Sequence, residues 1–242
     1  MKISRRSLLL ASAMPLLKGA GPTQITLTAS DGVRVFAWHY PAADTRKPAI
    51  LLFHQAGSNH AEYSTIAPRL VGLGYHCLAL DQRSGGDMWG VGNLTAAGVG
   101  HEVDYLAALP DLEAALPWPK SQGLPGKSIL WGSSYSAALV FVLAAKHSEE
   151  TAAVMAFSPG EYLGQPTLVR QSAAKVRVPV FVTSAKDEEE ISAARGISQA
   201  AHGVQFVPKT GGVHGSSTLR HDRNPKGEAE NWQAVEQFLT KV

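Results

Sequence analysis

Hydrophobic and polar positions along the chain fall into two alternating patterns. Five short stretches, residues 49–53, 76–80, 127–132, 152–157 and 178–183, are almost continuously apolar, as expected for strands covered on both faces. Between and after them, apolar residues three and four apart predict helices over 61–73, 101–116, 135–146, 191–201 and 228–240. Residues 204–208 add a further strand. Pro110 should kink or split the helix that contains it, because proline removes a helical N–H and collides with the preceding turn. Ahead of this series, 25–28 and 33–38 alternate like half-buried strands around Ser30-Asp31-Gly32, which predicts an opening antiparallel hairpin. Residues 84–100 carry six glycines and read as a long loop, either functional or disordered. Strand–helix alternation of this kind predicts an α/β fold, a mostly parallel central sheet with helices on both faces, whose ligands gather at the carboxyl ends of the strands.

Composition alters this picture mainly at the N-terminus. The first 21 of the 242 residues hold Lys2, Arg5, Arg6 and Lys18 and no acid; without them 18 basic residues face 20 acidic ones. The body is then near neutral with no basic run, so nucleic-acid binding is not suggested. Residues 8–17 form an apolar stretch of signal-peptide length, too short to span a bilayer. Ser4-Arg-Arg-Ser-Leu-Leu9 resembles a twin-arginine export signal, and a Sec signal fits as well. Residues 1–21 are therefore expected to be an export leader to the periplasm, with no stable membrane anchor, and 22–242 a single domain. The one cysteine, Cys77, lies in an apolar run and reads as a core residue. The chain has no cysteine cluster and no His-Glu-x-x-His, so neither a metal nor a cofactor is expected.

The stretch that carries chemistry is Ile129-Leu-Trp-Gly-Ser-Ser-Tyr-Ser136. A strand that turns sharply into a helix can present a serine at its apex only if the residues two before and two after are small. Ser134 has Gly132 and Ser136 in those places, whereas Ser133 would have Trp131 and Tyr135. Ser134 is the expected nucleophile, and Ser136 departs from the usual glycine. A serine hydroxyl needs a base, and the base a carboxylate. Asp187 follows the strand at 178–183 and His214 follows the last strand. Glu188 to Glu190 compete with Asp187 but read as a solvated acidic helix start; His221 competes with His214 but lies among charged residues.

The order Ser134, Asp187, His214 resembles that of the α/β-hydrolases, and the likeness extends over the whole chain after the leader. Within that family it is most similar to the compact members of dienelactone hydrolase type. It departs from the dienelactone hydrolases themselves, which have cysteine where Ser134 stands, so their substrate is not carried over. The resemblance implies the α/β-hydrolase fold, and the short 158–177 segment leaves no room for a large lid. It also implies an oxyanion hole built from the amides of Tyr135 and of Ala56, with Gln55 as the open alternative; His54 should brace that loop. Tyr63, Met88, Trp89, Pro159 and Tyr162 are the expected pocket walls. The implied activity is hydrolysis of small to medium carboxylic esters through an acyl-enzyme. A peptidase or amidase on the same triad, or a binding protein that keeps only the fold, are the alternatives.

Overall fold

The computed structural model describes residues 21–242; of the expected leader, all but Gly21 lie outside the described residues. Eight strands form one sheet: β1 (Thr23–Thr28), β2 (Arg34–Tyr40), β3 (Ala49–Phe53), β4 (Cys77–Leu80), β5 (Ser128–Ser133), β6 (Thr151–Phe157), β7 (Val180–Thr183) and β8 (Val204–Phe206). Their spatial order is β1-β2-β4-β3-β5-β6-β7-β8. The opening hairpin and its junction with β4 are antiparallel, and every later pairing is parallel. The strand–helix alternation predicts the mostly parallel sheet, and the arrangement is that of the α/β-hydrolase fold which the resemblance implies.

Among the described residues, eight α-helices lie between and after the strands: α1 (Ile66–Gly72), α2 (Leu94–Val99), α3 (Leu109–Ala115), α4 (Trp118–Ser121), α5 (Tyr135–Lys146), α6 (Leu168–Ala173), α7 (Glu188–Ala200) and α8 (Glu228–Leu239). Two expected helices are shorter than their apolar spacing suggests, and proline is the reason in both. A helix running from residue 61 would set Pro68 against the carbonyl of Ser64; the chain instead forms a 3-10 turn at His60–Tyr63 and begins α1 at Ile66. Pro110 likewise splits its segment into a 3-10 turn, Tyr105–Ala108, and α3, in which it occupies the first turn at no hydrogen-bond cost. The glycine-rich 84–100 stretch is less irregular than expected. It holds α2, opened by the Asn93 side chain accepting from Ala96 N–H and closed by Gly100.

Alternate residues of the buried strands feed two cores. Leu51, Phe53, Leu130 and Val154 pack with α3, α5, α6 and α7. Ile50, Leu52, Trp131 and Met155 pack on the other face with α1 and α8. Helix α5 is buried from Tyr135 to Ala144, which accounts for its apolar residues on nearly every side. Cys77 is a buried core residue whose thiol pKa is raised by burial. Among the described residues no helix is long and apolar enough to cross a membrane.

Beyond the β2–β4 pairing, an ion cluster ties the hairpin turn to α3. Just past β4, Arg83 donates through Nε (3.0 Å) and Nη2 (2.7 Å) to the fully buried Asp111 of α3, and its other face grips Asp31 in the β1–β2 turn. Removing one partner of a buried pair leaves the other charge uncompensated, at a cost of about 3 kcal/mol or more. Asp111→Ala should therefore lower the melting temperature by roughly 6–12 °C for a domain of this size. A shift under about 2 °C in a thermal scan would mean that Asp31 alone suffices for Arg83.

Candidate active site

Strand β5 passes into α5 with no connecting loop, and Ser134 sits at the corner with φ 58° and ψ −121°. For a residue with a side chain this is strained backbone. Its N–H continues the sheet by donating to Phe157 O at 2.8 Å, and its carbonyl accepts from Ala137 N–H to start the helix. A Cβ on Gly132 would lie 2.3 Å from the Ser136 carbonyl oxygen, so only glycine fits there. Ser136 has no such conflict. Its hydroxyl accepts from Gln82 Nε2 and donates to His54 O, both at 2.6 Å, tying the elbow to the end of β3. Ser133 points the other way: its hydroxyl donates to the buried carboxylate of Glu62 at 2.6 Å.

Ser134 Oγ lies 2.8 Å from His214 Nε2, and His214 Nδ1 lies 2.6 Å from Glu190 Oε1. The carboxylate that meets the histidine is therefore Glu190 and not the expected Asp187. Asp187 is the N-cap of α7, and its Oδ1 accepts from Glu190 N–H at 2.9 Å. Folding back over its own helix keeps its side chain from His214, while the third helical residue, Glu190, projects toward the imidazole. Asp187-Glu-Glu-Glu190 is the capping-box pattern, in which the acid three residues on normally returns to the N-cap amide. Here that acid reaches instead to Ala185 N–H, at 3.0 Å, and to His214. That spacing was an available signal that Asp187 caps the helix, although Asp187 is the acid expected from the sequence.

The electrostatics follow from these contacts. Burial raises the Glu190 pKa, but hydrogen bonds from His214, Ser158 and Ala185 outweigh it and bring the carboxyl down to about 2. The Glu190 bond raises the His214 pKa, against an opposing effect of burial. The His214 loop is fastened to the centre of the sheet. Gly215 N–H donates to Ser158 Oγ (2.9 Å), Ser216 N–H to Ser133 Oγ (2.8 Å), and Trp131 Nε1 to Ser216 Oγ (2.9 Å). Gly215 has φ +69°, and a Cβ there would lie 2.4 Å from Ser133 Oγ. His221 is an exposed side chain bonded to Glu228.

The loop after β3 is tied to the same corner by the bond from Ser136 to His54 O. Gln55 N–H is committed to Glu62 Oε2 at 2.8 Å. The N–H groups of Ala56 and Tyr135 have no hydrogen-bond partner among the described residues. His54 Nδ1 donates to Gln55 O (2.8 Å), and Nε2 accepts from Gln82 N–H (2.9 Å). Burial pushes the His54 pKa down to about 4, so the ring is neutral and serves as a brace. His60 pairs with Asp81 and stacks on Trp38. Among the described residues, no group of three His, Cys, Asp or Glu is arranged to hold a metal ion.

A cleft of about 620 Å³ opens beside Ala56 and Gly57, walled by Ser84, His101, Asp104 and Tyr105. The Tyr105 ring stacks on Tyr135 with centroids 4.5 Å apart, next to the free amide. None of the expected wall residues lines this cleft. Tyr63 is buried in the core with its hydroxyl on Phe53 O, and Trp89 bonds Ser58 under two arginines.

The dienelactone hydrolase family model matches residues 35–242. The fold is similar to that of esterase Pf2001 from Pyrococcus furiosus, at TM-score 0.69 and 16% identity, over 99% of this chain and 98% of that one. It is also similar to a highly thermostable carboxyl esterase from Bacillus coagulans (TM-score 0.69, 13% identity, 92% of this chain and 99% of that one). A dienelactone hydrolase from Anabaena variabilis matches at TM-score 0.68 and 15% identity, over 92% and 99% of the two chains. No curated protein matches the sequence. With the family match spanning most of its length, the chain belongs to the dienelactone hydrolase family.

Proposed function

We propose that this protein is a serine hydrolase of small to medium carboxylic esters, with Ser134, His214 and Glu190 as its triad. The observation that carries the reading is the unbroken chain from Ser134 Oγ through both imidazole nitrogens to Glu190, at 2.8 and 2.6 Å. His214 takes the hydroxyl proton as Ser134 Oγ attacks the acyl carbon, and Glu190 stabilises the imidazolium that forms. The carbonyl oxygen becomes an oxyanion, for which the Ala56 and Tyr135 amides are the unoccupied donors. Collapse breaks the ester bond, and the departing alkoxide takes the proton from His214. Water then attacks the acyl carbon with His214 as base, and the acid leaves with Ser134 restored. The cleft beside Ala56 is large enough for a small or medium substrate. The basic and apolar leader supports a place outside the cytoplasm. If that assignment holds, Arg5→Lys with Arg6→Lys should leave the unprocessed chain in the cytoplasmic fraction, whereas unchanged export would point to the Sec route.

Short p-nitrophenyl esters test the chemistry. Ser134→Ala should remove about six orders of magnitude of kcat, and a fluorophosphonate should label Ser134 and not Ser133. Comparable rates on aminoacyl amides would favour an amidase, and no labelling of folded protein a binding role.

The two candidate acids separate cleanly. Glu190→Gln should cost about a thousand-fold or more in kcat, because the amide no longer fixes the histidine tautomer. Asp187→Asn retains a good helix cap and should stay within about threefold of wild type. The reverse ranking would restore Asp187 as the acid.

The pH profile carries a sign as well. His214 acts as base only when neutral, so kcat/KM should rise with pH through its pKa. Glu190 raises that pKa, so the midpoint should lie above the ordinary imidazole value of about 6.5. In Glu190→Gln it should move to lower pH; a midpoint unmoved by the substitution would show that the pair does not set it.

A further inference from the structure

Glu62 is a fully buried carboxylate that the reaction described above does not use. It lies in the 3-10 turn after β3, and its two oxygens face two parts of the site and reach a third through Ser133. Oε2 accepts from Gln55 N–H at 2.8 Å, one residue before the free Ala56 amide, and from Ser58 Oγ at 3.4 Å. Oε1 accepts from Ser133 Oγ at 2.6 Å, one residue before the nucleophile. The same Ser133 oxygen accepts from Ser216 N–H, two residues after His214. Trp89 Nε1 donates to Ser58 Oγ, whose own proton has Glu62 Oε2 at 3.4 Å and Asn59 O at 3.5 Å as acceptors.

The turn that carries Glu62 is itself fixed. Arg220 Nη1 donates to Glu62 O at 2.9 Å, and Tyr63 OH donates to Phe53 O at 2.6 Å, at the root of the oxyanion loop. Burial raises the Glu62 pKa, while its donors and the Arg220 charge oppose the rise. A fully buried carboxyl group is costly to retain unless its bonds are made. Here every bond goes to a segment that carries a reacting or oxyanion-binding group, and an apolar residue in its place would leave the Gln55 amide and the Ser133 hydroxyl unpaired.

We propose that Glu62 is a positioning residue: its carboxylate sets the oxyanion loop, the nucleophile elbow and the histidine loop in one register. The inference rests on the serine-hydrolase reading of the site. A side-chain amide cannot reproduce the arrangement, because one of its two ends is a donor and must face either the Gln55 N–H or the Ser133 hydroxyl. The expected consequence is a misplaced oxyanion donor, felt in the transition state more than in substrate binding.

The experiment compares wild type, Glu62→Gln and Ser133→Ala, with active sites counted by fluorophosphonate titration. Glu62→Gln should lose about ten- to a hundred-fold in kcat per titrated site, with KM within about threefold. The inhibition constant of a trifluoromethyl ketone, which forms an oxyanion adduct on the serine, should rise by a matching factor. A merely structural role would lower the melting temperature and the number of titrated sites but leave kcat per site and inhibitor affinity within about twofold, and that result overturns the proposal. If Glu62→Gln does not fold, Ser133→Ala decides, with the same two shifts expected at about three- to tenfold; neither shift appearing overturns it. Wild-type enzyme that fails to hydrolyse esters or to label at Ser134 would instead sink the underlying reading.

Discussion

Everything at the site is measured from one steric conflict. Helix α5 begins where β5 ends, so the chain must reverse direction within a few residues, and Gly132 passes so close to the Ser136 carbonyl that a single carbon would not fit. The cost appears at Ser134, whose backbone is held in a sparsely populated region at roughly 1–3 kcal/mol. Such a conformation persists only if its surroundings leave no alternative. Here they include the sheet bond from Ser134 to Phe157, the helix bond from Ala137, and an α5 buried from Tyr135 to Ala144. The hydroxyl at the apex is exposed by the same turn that strains it.

Around this corner the loops lack regular hydrogen-bond ladders, and side-chain amides take over that function. Asn59 Nδ2 donates to the carbonyls of Gly86, Met88 and Val91, and Asn93 Nδ2 to those of Ser58 and Gln82. Gln82 joins His54, Tyr135 and Ser136. A polar network with its members satisfied holds one geometry, and an oxyanion site gains from donors that are already aimed.

Much of this was legible in the chain. Nearly continuous apolar runs marked the parallel strands because those strands are covered on both faces, and Pro110 marked the break before α3. The small residues flanking Ser134 distinguished it from Ser133, a discrimination that depends on local sterics alone. The acid partner was harder to read. Its identity depends on where a helix begins and which residue of the first turn projects sideways, and three consecutive glutamates give no such information. Asp187 was misread because the feature that made it prominent, its position directly after the strand, is also what makes it a cap. Tyr63 was misread for a related reason: an aromatic near a strand end has the same sequence context whether it lines a cleft or fills the core. Glu62 left no trace, since its partner Ser133 is 71 residues away and no periodicity points to it.

The fastening of His214 bears on which local motions the enzyme tolerates. The strand that precedes it, β8, is a three-residue edge with Val204 well exposed, and such edges open readily in native-state fluctuations. The histidine loop, however, takes its hydrogen bonds from Trp131 and Ser133 in β5 and from Ser158 after β6. Amide exchange at the sheet margin can therefore be fast while the His214 imidazole stays in register, because it shares the slow-opening unit of the central strands and not that of its neighbour in sequence.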